Sequence, residues 1–159
     1  MGFLTWVEAS ELADWVRMSS EGYPSMITLH AFGMAVMVGI SLVLDLRLLG
    51  RFAAIPTQAL NRLQGVAWLG FAINTVSGSA LFTAQATSYV VDVVFMSKMA
   101  LVFLGGITAA ILQPQLAKAD SWAGGKTPGG IKAIAWLSIV VWLSAIVTGR
   151  LTAYLDISF

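Results

Sequence analysis

Apolar side chains run almost unbroken through four windows of this chain, 26–46, 63–85, 91–112 and 131–154, and the short segments between them hold most of the charged residues. Each window reaches the roughly 20 residues that a helix needs to cross a hydrocarbon layer. The pattern predicts an all-α integral membrane protein. Short connections make successive helices antiparallel neighbours, so the simplest arrangement is an up-down-up-down four-helix bundle over residues 24–159. Residues 1–23 read as an amphipathic helix lying on the outer surface. Trp6, Val7, Trp15 and Val16 give it an apolar face, Glu8, Glu11 and Asp14 a wet one, and Thr5 with Glu8 a capping box. Gly22 and Pro24 then interrupt the chain, and Pro24 suits the first turn of the first span. Pro114 is expected to end the third span, and residues 115–130 read as a mobile connection.

Composition agrees with a membrane protein. The chain is 58% hydrophobic and 11% charged, where a soluble domain carries about 25% charged residues. The acidic segment before the first span is unlike a signal peptide, which begins basic. With no cysteine in the chain, disulfides, thiolate metal sites and c-type haem attachment are excluded.

The net charge of +1 hides an asymmetry. Loops one and three and the adjoining helix ends carry Arg47, Arg51, Arg62, Lys118, Lys126 and Lys132 against Asp45 and Asp120. The opposite face carries Glu8, Glu11, Asp14, Glu21, Asp92 and Asp156, with Arg17 as its one basic residue outside the spans. By the positive-inside rule the basic loops are cytoplasmic and both termini periplasmic, in a bacterial inner membrane. Nothing in the charge pattern suits nucleic acid.

Ionisable side chains inside a hydrocarbon layer are costly and mark functional sites. Counting from the span ends, His30, Lys98 and Arg150 all lie roughly 6–9 Å deep in the outer half. The second span ends nearby in Asn74, Thr75, Ser77, Gly78 and Ser79. Two cations and an imidazole with no carboxylate in their layer invite an anionic ligand. Haem b fits: a neutral His offers iron an axial nitrogen, Lys and Arg can pair with propionates, and Gly33 and Gly39 leave room for a flat macrocycle. Structural roles fit too. Lys98 and Arg150 are shallow enough to snorkel, and His30 can hydrogen-bond Ser or Thr on the second span. Met26, His30 and Met34 share one helix face, with Met37 beyond and Met96 and Met99 around Lys98. That set suits Cu(I) or an axial Met, and equally suits core packing. Asp45 with Arg47 and Arg51 reads as an interfacial ion pair. With one His and no nucleophile–base pair, phosphate loop or HExxH motif, redox or binding chemistry through a cofactor is the enzymatic class that remains. The rival class is a non-enzymatic membrane subunit or homo-oligomer.

Leu29-His30-Ala31-Phe32-Gly33, Val38-Gly39 and Leu44-Asp45-Leu46-Arg47-Leu48-Leu49-Gly50 resemble the opening helix of a family of small four-helix bacterial membrane proteins known as a domain of unknown function. Leu60-Asn61-Arg62 and Phe95-Met96-Ser97-Lys98-Met99-Ala100-Leu101 extend the likeness. More distantly, a His early in one helix and a Lys early in a later one is similar to HemJ-type protoporphyrinogen oxidases, and the first helix to CopD-type copper-resistance proteins. That resemblance implies a b-type haem with His30 as axial ligand and Lys98 as second ligand or near neighbour. Gln113 stands where those groups often carry a His.

Overall fold

The computed structural model describes residues 2–52, 54–119, 122 and 126–155, the last three without their side chains. Asp120 and Asp156 from the charge pattern lie outside the described residues. Two short helices, α1 (Phe3–Glu8) and α2 (Glu11–Met18), precede α3 (Gly22–Leu48) and α4 (Thr57–Thr83). A single turn, α5 (Ala86–Tyr89), leads into α6 (Val93–Lys118) and α7 (Gly129–Leu155). Among the described residues there is no strand. α3, α4, α6 and most of α7 are each long and apolar enough to cross a membrane, as expected of a multi-pass membrane protein.

The four long helices outrun the apolar windows because their ends pack against one another. At the basic end, Leu44, Leu48, Leu60, Leu112, Leu116 and Ala135 form one buried cluster, so α4 begins at Thr57 and α6 continues to Lys118. Pro114 therefore does not end the third span. It forfeits one backbone rung, but it stands between Leu112 and Leu116, both essentially buried, and next to Gln113. The Gln113 side-chain oxygen accepts from Trp68 Nε1 at 2.7 Å, and its carbonyl accepts from Gln64 Nε2 at 3.2 Å. Those contacts outweigh the lost hydrogen bond. α3 closes with Gly50 at φ 89°, where Gly50 N donates to Arg47 O and Arg51 N to Leu46 O, the two bonds of a Schellman cap.

Residue numbers rise on one helix as they fall on its neighbour. His30 meets Asn74 and Gly33 meets Gly70 on α3 and α4; Lys98 meets Gly149 and Gly105 meets Trp142 on α6 and α7. α3 and α4 thus run antiparallel to each other, and so do α6 and α7. In lipid the hydrophobic effect does not draw helices together, and close packing and interhelical hydrogen bonds must do so. α3 and α4 meet that requirement at backbone distance: a Cβ on Gly33 would stand 2.6 Å from both Asn74 N and Gly70 O.

The amino-terminal segment is two helices where one was expected. The chain breaks at Ala9 and Ser10, and Ser10 caps α2 by accepting from Ala13 N at 3.3 Å. The Thr5–Glu8 capping box does not form. Thr5 Oγ1 donates to Gly2 O, and Glu8 Oε1 instead accepts from Thr87 N at 2.8 Å and Thr87 Oγ1 at 2.9 Å. With Ala13 and Val16 fully buried and Arg17 Nη1 donating to Ala84 O, this segment is fastened over the end of the bundle.

Candidate functional site

His30 sits on the face of α3 turned toward α4, where two hydrogen bonds cross the seam in opposite senses. Asn74 Nδ2 donates to the His30 carbonyl at 2.7 Å, and His30 Nδ1 lies 3.0 Å from the Asn74 carbonyl oxygen. A carbonyl only accepts, so Nδ1 carries the proton of that bond. Nε2 is then the nitrogen left for a metal or a ligand, the arrangement in which a second hydrogen bond orients a ligating imidazole. Gly78 makes the ring's position attainable, since a Cβ there would come within 2.8 Å of His30 Cε1 and 3.0 Å of Nδ1.

Lys98 approaches from α6. Its stem lies over Gly149 of α7, its ammonium stands 5.9 Å from the Phe95 ring centroid, and among the described residues no carboxylate pairs with it.

His30, Asn74, Lys98 and Val102 form a wall shared by two cavities. The larger, of about 300 Å³, lies between α4 and α6 and is further lined by Thr75, Gly78, Ser79, Phe82, Phe95 and Met99. That size stands at the lower end of small-molecule sites. The smaller, of about 20 Å³, lies deeper among Met34, Met37, Phe71 and Trp142 and holds about one water. No carboxylate lines either cavity.

Of the residues expected to cooperate, His30, Lys98 and Met34 therefore meet at these cavities. Arg150 follows Gly149 at the same level, but it is exposed and lines neither cavity. Gly33 offers no room for a macrocycle, because α4 backbone fills the space beside it, and Gly39 faces outward with nothing within 4 Å. The glycine that makes room is Gly78. The methionines are dispersed: Met34 lines the inner cavity, Met37 is buried against Val38, Ala67, Ala109 and Trp142, and Met96 and Met99 are exposed. Among the described residues no three His, Cys, Asp or Glu side chains are grouped to hold a metal ion, so a metal here would have His30 as its one imidazole.

Asp45 is not an interfacial ion pair. It is 2% exposed and faces Ser138 of α7, while Arg47 Nε turns away to the Ile55 carbonyl at 3.3 Å. Among the described residues, the buried Asp45 Oδ2, Ser138 Oγ, Trp142 Nε1 and Gln113 Nε2 have no hydrogen-bond partner. Sequence reasoning passed over Asn74 as His30's partner. The signal was present in the i, i+4 spacing of Asn74 and Gly78 opposite the i, i+3 spacing of His30 and Gly33.

Fold and site together define a polytopic helical membrane protein with a cavity of about 300 Å³ between two of its helices. The chain belongs to a family of unknown function, DUF6644, which matches residues 3–155. No curated protein and no solved structure matches it.

Proposed function

We propose that this protein is a b-type haem protein of the bacterial inner membrane, acting in electron transfer or in redox chemistry on a hydrophobic substrate such as a tetrapyrrole or quinone. In this reading the four long helices cross the bilayer up-down-up-down with both termini periplasmic. The observation that carries it is the paired wall of His30 and Lys98. An imidazole with Nδ1 committed to Asn74 leaves Nε2 for iron, and an ammonium without a carboxylate partner stands on the same cavity. Haem, when bound, supplies one-electron chemistry at iron. Its acidic edge complements Lys98, and the apolar lining from Phe82, Phe95 and Val102 suits its faces. The similarity of the His and Lys placement to HemJ-type proteins points the same way.

An optical spectrum of protein purified after expression with ample haem tests the reading. A Soret band is expected in the wild type. His30→Ala abolishes it, because the axial nitrogen is gone. Lys98→Met lowers haem occupancy while membrane insertion persists, since a partly desolvated charge pair loses a few kcal/mol when one partner is removed. A colourless wild-type protein, or equal haem content in all three, removes the proposal.

A further inference from the structure

The α4–α6 seam is closed at both ends and open in the middle. Toward the basic end, Trp68 Nε1 and Gln64 Nε2 both bond Gln113 across it, at 2.7 and 3.2 Å. Toward the other end, Phe82, Tyr89 and Phe95 stack on one another with centroids 4.7–6.4 Å apart and ring planes within 24°. The α5 turn that carries Tyr89 is held down by the Glu8 carboxylate on Thr87. Between these closures the larger cavity reaches the surface past Thr75, Ser79 and Met99, all three exposed. The neighbouring Val76 and Phe103 are 71% and 72% exposed, and such apolar side chains on a spanning helix face hydrocarbon. The aqueous side is therefore roofed by aromatic rings while the side opening points into the bilayer.

We propose that the chamber is loaded sideways from the hydrocarbon layer through this α4–α6 opening, and that it takes membrane-dissolved lipophiles bearing a carboxylate head. The class follows from the lining. The wall offers an ammonium on Lys98 and the hydroxyl of Ser79, and no carboxylate, so an acidic head finds complementary partners there while its apolar body stays against Val102, Met99 and the lipid. This rests on the chamber being a ligand site, as proposed above, but not on the ligand being haem.

The test uses the full chain in lipid vesicles containing a palmitic acid with a photoreactive diazirine in its chain, with adducts mapped by mass spectrometry. Adducts should concentrate on Met99 and Val102, well above those on the lipid-facing Val140 and Val147 of α7, and excess unlabelled fatty acid should suppress them. Lys98→Met should reduce the chamber adducts roughly tenfold, the scale of one lost charge-assisted contact, without changing those on α7. Ser79→Trp, and independently Thr75→Trp, should plug the opening and remove the Val102 adducts, while Val76→Trp should not. Adducts spread evenly over all exposed faces, Val102 adducts that persist behind both plugs, or a wild-type opening shielded by a second copy would each overturn the inference. A missing Soret band with fatty-acid adducts intact would instead remove haem and leave the opening standing.

Discussion

A difference of two positions separates Asp45 from Arg47, and on a helix two positions turn a side chain by roughly 200°. That rotation sends Arg47 outward to the Ile55 carbonyl and Asp45 inward beside Ser138, which is why adjacency in sequence misread them as an ion pair. The glycines carry the same lesson. Nothing in the sequence distinguishes Gly39 from Gly78, yet one faces open space and the other lies against the His30 imidazole. Their alanine variants should differ accordingly. Gly39→Ala is expected to leave haem content unchanged and to stabilise the helix by about 0.5–1 kcal/mol, the usual gain over glycine inside a helix. Gly78→Ala must displace the ring whose Cε1 would lie 2.8 Å from the new methyl, so haem occupancy should fall while far-UV circular dichroism stays that of the wild type. Equal haem content in both variants would mean that the ring does not need its place against α4.

At the scale of elements, the four spans were legible because a run of apolar residues is a property of the local chain, and hydrocarbon thickness sets its length. Their ends were not. Thr57 and Lys118 extend their helices because Leu60, Leu112 and Leu116 meet in one cluster, a tertiary fact no local window contains. The amino-terminal break escaped notice for a similar reason: Glu8 serves α5, 79 positions away, and not its own helix. The α3–α4 pair depends most on Asn74, which bonds the His30 carbonyl through its side chain and the His30 ring through its own carbonyl. Asn74→Ala removes only the side-chain bond. Interhelical bonds in membranes contribute about 0.6–2 kcal/mol, so unfolding in mixed detergent should shift by that amount. Because the backbone acceptor for Nδ1 survives, haem content should fall much less than in His30→Ala. A loss as large as that of His30→Ala would place the chamber's stability in the Asn74 side chain instead of the imidazole.

For the whole molecule, the basic loop residues and the site occupy opposite ends. Leu48, Leu60, Leu116 and Ala135 gather at one end, which puts the end of α3, the start of α4, the end of α6 and the start of α7 together there, with Arg47, Arg51, Arg62, Lys118 and Lys132. Glu8, Glu11, Asp14, Glu21 and Asp92 mark the end that holds His30 and Lys98. Basic residues in short loops stay on the cytoplasmic side, so the orientation proposed above puts the chamber in the outer leaflet. The lack of native cysteine makes this directly measurable with single-cysteine variants in intact cells whose outer membrane has been made permeable. Ser20→Cys, in an exposed turn at the acidic end, should react with a membrane-impermeant maleimide, and Ala54→Cys, exposed in the first basic loop, only after the inner membrane is opened. Replacing Arg51, Arg62, Lys118 and Lys126 together by Gln should produce molecules of both orientations, with each cysteine then partly reactive. The opposite pattern in the parent variants, Ala54→Cys labelled and Ser20→Cys protected, would turn the protein over, and the opening between α4 and α6 would then draw its ligand from the cytoplasmic leaflet.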